Sequence, residues 1–180
     1  MTFDPVLHEY RDGDLIIQSV TQILKRAGHI DDRWYSEEAR ERGSAVHELC
    51  ERFTKGIRTD DIGRPLDSLE YLNAFAAWMK KSRAYAIQTE TTIDFTLNGH
   101  RYAGKYDLLA EIGGRRILVD YKTGGKASWH PIQIAAYVLG TNPDGAMLLY
   151  LKPTGKFIEY WLSPFELIRG IQAFKDALAA

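Results

Sequence analysis

Apolar residues recur along this chain in two rhythms, one helical and one alternating, and the switches between them mark the predicted elements. From Ser36 the run SEEARERGSAVHELCERFTKG sets Ala39, Val46, Leu49, Cys50 and Phe53 on one stripe, with acids in the first turn and Gly56 at the end. That pattern predicts a long amphipathic helix. Leu69, Leu72, Phe75, Ala76 and Met79 predict a second one reaching about Tyr85, after a polar connection over residues 57–67. Ser19 opens a shorter helix with Gln22 at the capping-box position and Gly28 at its end. PIQIAAYVLG predicts a helix from Pro131 to Gly140, and Ser163-Pro164-Phe165-Glu166 starts a last one.

The alternating runs lie between these helices. Residues 7–18 read as a small hairpin broken at Arg11-Asp12-Gly13-Asp14, with a packing role. Ile87 to Leu97, Tyr102 to Ile112 and Arg115 to Tyr121 are joined by Asn98-Gly99 and Gly113-Gly114, which predicts three consecutive antiparallel strands. Ala146 to Leu151 and Lys156 to Leu162 add two more around Pro153-Thr154-Gly155. This order predicts an α/β fold with a mixed sheet covered by helices on both faces.

The central hairpin carries the chemistry. A two-residue turn at Gly113-Gly114 pairs Ile112 with Arg115, and stepping outward sets Asp107 opposite Asp120 and Lys105 opposite Lys122. Alternation then puts Asp107, Asp120 and Lys122 on one face, and Tyr106 and Tyr121 on the other. Opposed carboxylates about 5 Å apart repel and ask for a neutralising partner. A divalent cation is one; a solvated face on which Lys105 and Lys122 neutralise the acids is the other.

Further candidates lie outside the hairpin. Gly43 and His47 share a face of the long helix, and close backbone approach would account for the interior glycine, which costs about 1 kcal/mol relative to alanine. Glu90 sits on the strand before the hairpin as a possible supporting acid, and Gln133 and Tyr137 share one face of a later helix.

Composition narrows the classes. With 180 residues, 45% hydrophobic and 26% charged, the chain fits one domain over residues 1–180. A net charge of −1 excludes a uniformly basic nucleic-acid binder, so any such contact needs locally clustered charge. One cysteine, Cys50, rules out an intrachain disulfide framework and the four thiolates of an iron–sulfur cluster, and fits a reducing, cytoplasmic compartment. The N-terminal run has no basic segment followed by an apolar one, and no stretch reaches the roughly 20 apolar residues of a membrane span, so a soluble, unprocessed protein is expected.

GSAVHELCE, GKYDLLAEI, ILVDYKTG and QIAAY follow one another as in the PD-(D/E)XK nuclease superfamily, and the chain most resembles its RecB-like exonuclease branch, including standalone phage and prophage nucleases. The likeness runs from about Ser19 to Tyr137. The first motif reads Lys-Tyr-Asp where the superfamily name has Pro-Asp, a departure common in that branch.

This resemblance implies a restriction-endonuclease-like fold and a metal-dependent DNA nuclease, expected as an exonuclease in replication, recombination or repair. Asp107 and Asp120 would bind Mg²⁺ or Mn²⁺, with His47 and the Tyr121 carbonyl completing the metal site and Lys122 orienting or activating the attacking water. Hard oxygen ligands suit Mg²⁺, and histidine additionally favours Mn²⁺. Gln133 and Tyr137 would contact DNA, single- or double-stranded, and Glu90 matches an acidic position often found before the hairpin. Arg33, Arg40, Arg42, Arg52, Lys105 and Lys126 are candidates to line the approach of the phosphates. The alternative is a catalytically silent DNA-binding or scaffold protein with the same fold. No phosphate-binding G-x-x-x-x-G-K-[ST] loop occurs, so a helicase or recombination partner would be a separate chain.

Overall fold

Two glycines at positive φ, Gly113 and Gly114, close the central hairpin with the register the two-residue turn demands. In a computed structural model, which describes residues 1–4, 9–31, 36–59 and 67–180, this hairpin is the middle of a five-stranded sheet. The strands are β4 (Tyr85–Leu97), β5 (His100–Ile112), β6 (Arg115–Lys122), β7 (Gly145–Leu151) and β8 (Phe157–Trp161), in that spatial order. Only β6 and β7 are parallel, because the chain returns between them through α4 (His130–Thr141).

The remaining helices divide between the two faces. On one, α1 (Val20–Arg26), α4 and α5 (Pro164–Ala179) bury Ile23, Ile134 and Phe174 against Tyr102, Leu118 and Leu148. On the other, α2 (Glu37–Thr54) and α3 (Asp67–Ser82) bury Leu49, Phe75 and Trp78 against Leu108, Val119 and Met147. The result is the restriction-endonuclease-like mixed sheet between two helical layers. Among the described residues no helix is long and apolar enough to cross a membrane.

Local chemistry sets the helix ends. Ser19 with Gln22, and Ser163 with Glu166, form reciprocal capping boxes on α1 and α5, and the Ser36 hydroxyl accepts the Ala39 N–H at the start of α2. Helix α3 stops at Ser82, and Tyr85, expected at its end, already belongs to β4. Arg83 takes a left-handed φ of 52° between them and breaks the helical path. Helix α4 runs through Gly140 and ends where Asn142 turns left-handed.

Two stripe positions, Phe53 on α2 and Leu69 on α3, lie outward and exposed, and Tyr71, Ala74 and Trp78 supply much of the inner face of α3. The N-terminal hairpin gains a third strand, β1 (Thr2–Asp4), alongside β2 (Glu9–Asp12) and β3 (Leu15–Ile17). This small sheet is tied to β5 by the Ala103 N–H donating to the Gln18 carbonyl at 3.0 Å and by a buried cluster of Tyr10, Ile17 and Ala103.

Candidate active site

The hairpin ladder stops one pair short of the acids. Its register holds from Ile112–Arg115 to Leu108–Val119, and Asp107 and Asp120 are not paired. The Tyr121 N–H donates to the Asp107 carboxylate at 2.7 Å, so a side-chain oxygen accepts a donor that continuing the ladder would have used. Beyond Val119, β6 stays with β7 while β5 stays with β4, and the sheet forks.

The fork also slips the alternation of faces. Tyr102, Tyr106 and Leu109 pack on the α4 side, whereas Leu108 and Ala110 pack on the α2 side, so parity breaks between Tyr106 and Leu108. Tyr106 and Tyr121 therefore lie on opposite faces, correcting the expectation that they share one. Lys105 pairs with Thr92 and reaches Glu90 at 2.7 Å, correcting the expected opposition to Lys122. Opposite the slip, Glu90 adopts φ 46°, a conformation rare for a side-chain-bearing residue in a strand. Such local strain persists only where surrounding contacts impose it.

Two half-sites face the fork. On the α2 side, His47 Nδ1 lies 3.2 Å from Asp107 Oδ1 and 3.3 Å from Glu90 Oε1, and its ring packs 5.3 Å from that of Tyr121. Burial opposes the charged imidazole, but Asp107 and Glu90 outweigh it and raise the His47 pKa to about 10 in the metal-free protein. Burial likewise opposes ionisation of Asp107, yet His47, Lys122 and the Tyr121 N–H hold its pKa below the usual carboxylate value.

On the α4 side, Lys122 Nζ sits 2.7 Å from Asp120 Oδ2 and donates to Gln133 Oε1 at 2.8 Å. The Gln133 amide donates in turn to the Tyr137 hydroxyl at 3.3 Å. Asp120 Oδ2 is buried, and the Lys122 ammonium is the partner recorded for it. Burial, helped by the Asp107 charge, raises the Asp120 pKa to about 6 despite Lys122. Gly104 makes room for this half, because a Cβ there would meet the Tyr137 ring at 2.6 Å. A glycine inside a strand pattern is the sequence signal of such close approach.

These atoms line a groove of about 1000 Å³ that also includes Arg40, Gly43 and Lys105. A Cβ on Gly43 would come no nearer than 3.9 Å to Thr123 Oγ1, so close packing does not explain that glycine, which instead leaves the groove open beside His47. Of the other basic candidates, Lys126 stands over the Tyr160 ring at 4.7 Å and Arg52 pairs with Glu48 at 3.5 Å. The Arg42 Nε is buried without a hydrogen bond, and Arg33 lies outside the described residues.

The donor set suits a hard divalent cation. One ligand atom each from His47, Glu90 and Asp107 lies within 4.8 Å of the others, and Asp120, ion-paired with Lys122, stands across the fork outside that tight group.

The family model of the PD-(D/E)XK nuclease superfamily matches residues 66–163, more than half of the chain. The chain belongs to this superfamily. PD-(D/E)XK nucleases use divalent metals, consistent with the cluster just described. No curated protein matches the sequence significantly. Among solved structures, a candidate exonuclease from Eubacterium rectale superposes with a TM-score of 0.58 at 15% identity, over 89% of this chain and 77% of that one. A phage-related exonuclease from Haemophilus somnus 129PT gives 0.40 at 13% identity, over 90% and 91%. At these identities the first supports the shared fold.

Proposed function

We propose that this PD-(D/E)XK protein is a Mg²⁺- or Mn²⁺-dependent deoxyribonuclease, acting as an exonuclease of the RecB-like kind. The observation that carries this reading is the fork itself: Glu90, Asp107 and Asp120 line one groove with Lys122, and donor atoms of Glu90, Asp107 and His47 lie within 4.8 Å of one another. Evolutionarily neutral packing would disfavour three buried or half-buried carboxylates in one groove, because each charge taken from water must be compensated.

His47, Glu90, Asp107, Asp120 and the Tyr121 carbonyl would hold the cation, which supplies charge neutralisation at the phosphodiester and the leaving oxygen. Glu90 thereby moves from a supporting acid to a principal ligand. Lys122, half-buried and tethered to Gln133, orients or activates the attacking water and faces the phosphate charge. Gln133 and Tyr137 hold that ammonium in place and border the DNA path. Arg40 and Lys105 flank the groove and would offset repulsion between the acids and the DNA backbone.

End-labelled single- and double-stranded DNA, incubated with Mg²⁺ or Mn²⁺ and separately with EDTA, tests this reading. Product should appear only with metal and vanish in folded Asp120→Ala and Lys122→Ala proteins. Equal product in EDTA, or in either variant, would reject it, and a mobility shift without product would favour the binding-only alternative.

A further inference from the structure

Helix α4 brings two side chains, not one, to Lys122. Gln133 Oε1 accepts from the ammonium at 2.8 Å, and the same ammonium stands over the Trp129 ring, 5.4 Å from its centroid. Trp129 and Gln133 are four residues apart, and the Gln133 N–H donates to the Trp129 carbonyl at 2.9 Å, so the two side chains are neighbours on one face at the start of the helix. Trp129 occupies the N-cap position of α4, where a small polar side chain ordinarily takes a helix N–H, and it makes no such bond. Capping does not account for a tryptophan here.

The ring is fixed by its other neighbours. It meets the His130 ring edge-on with centroids 4.3 Å apart, and His130 is buried, its Nδ1 lying 3.1 Å from the Tyr150 hydroxyl and 3.4 Å from the Ala127 nitrogen. Trp129 also packs against the apolar layer between α4 and the sheet. The ammonium is sheltered in turn, since only 14% of the Lys122 side chain is exposed. An aromatic face holds an ammonium withdrawn from water more firmly than one in solvent.

A lysine that orients or activates water acts only while its nitrogen is held in place, and its four-carbon stem is flexible. Asp120 also faces the ammonium, at 2.7 Å, but it is among the acids proposed to hold the cation. A neutral ring attracts the ammonium without competing for that cation. Resting on the nuclease reading, we propose that Trp129 is a positioning residue for DNA hydrolysis: its indole face, with the Gln133 amide, seats the Lys122 ammonium for its work on the attacking water. Trp129 stands outside the lining of the groove, so it acts through Lys122, and its effect falls on the rate of cleavage rather than on DNA affinity.

The test reads the seat and the reaction separately. Nuclear magnetic resonance of the metal-free full chain with isotopically labelled lysine reports the seat alone: the ε-methylene signal that disappears in Lys122→Arg should be shifted upfield by the ring in the parent and return to the position of an ordinary lysine in Trp129→Leu. Single-turnover cleavage of saturating DNA in Mn²⁺ should fall roughly ten-fold in Trp129→Leu and stay within about three-fold of the parent in Trp129→Phe, which restores an aromatic face, with DNA affinity unchanged in both. Trp129→trifluorotryptophan keeps the shape of the ring and withdraws electrons from its face, and should slow cleavage about five-fold at an unchanged melting temperature, which a packing role would not do. No upfield shift in the parent, cleavage as fast with Trp129→trifluorotryptophan as with the parent, or a loss confined to DNA affinity would overturn the proposal. An upfield shift that Trp129→Leu removes, in a parent chain that cleaves no DNA in Mn²⁺, would leave the seat standing and reject the nuclease reading instead.

Discussion

Asp107 and Asp120 sit on adjacent strands of one hairpin and in opposite electrostatic situations. Asp107 is held by the Tyr121 N–H and by His47, and its pKa is lowered; Asp120 is paired with Lys122 alone, and burial raises its pKa to about 6. The first carboxylate helps to build the fork, and the second holds the Lys122 ammonium in the groove. A single residue type at two positions of one motif thus meets opposite pKa shifts through what surrounds it.

The largest expected effect does not distinguish the two halves. Alanine at Asp120 or at Lys122 should lower DNA hydrolysis on the order of a thousand-fold, measured under single-turnover conditions with the fold verified by circular dichroism. Stability should distinguish them. Asp107→Ala leaves the Tyr121 N–H without its acceptor and His47 with Glu90 alone, and should destabilise the metal-free protein by about 3 kcal/mol. Asp120→Asn removes a charge that burial already disfavours and leaves Lys122 its Gln133 partner, so it should leave stability within about 1 kcal/mol of the parent. Urea titrations in EDTA measure both, and equal losses would erase the comparison.

A smaller effect sharpens the α4 half. Gly104→Ala drives a Cβ into the Tyr137 ring and should cost about 2 kcal/mol, as overpacking does. Combining it with Tyr137→Leu should recover most of that stability in thermal melts but not the activity, because the Gln133–Tyr137 contact that steadies Lys122 is gone.

The smallest effect concerns His130, buried behind Lys122 with its Nδ1 facing the Tyr150 hydroxyl at 3.1 Å. Burial, then the Lys122 charge, lowers its pKa to about 3, against about 6.5 when unfolded. The unfolded chain therefore takes up a proton below pH 6.5 that the folded protein refuses. Stability from this residue is full above 6.5 and falls as pH drops toward 3. Melting temperatures between pH 7 and 5 should fall by a few degrees more in the parent than in His130→Gln.

Much of this arrangement was legible from residue order, for reasons that separate what was missed. The hairpin register followed from Gly113-Gly114 because a two-residue turn dictates pairing nearby, and the caps at Ser19 and Ser163 followed from local side-chain chemistry. The fork did not, since it depends on Asp107 meeting His47 and the Tyr121 N–H, contacts between residues far apart in the chain or across strands. Nor did the left-handed Glu90, which sits among threonines that favour an ordinary strand. His47, Gln133 and Tyr137 were found through the motif order, and the same groove contains all three. Gly104 carried a readable signal inside RYAGKYD, whereas the pairing of Phe3 with Tyr10 rests on a three-residue strand too short to announce itself.

The central claim is that acids from both sides of the fork hold one divalent cation. Isothermal titration of Mn²⁺ into the chain and into its Glu90→Gln and Asp120→Asn variants tests it most directly. One site should be seen in the parent, with affinity reduced at least about ten-fold by either substitution although they lie on opposite branches of the sheet. Unchanged Mn²⁺ affinity in Asp120→Asn would contradict this, since Asp120 would then contribute no ligand to the cation.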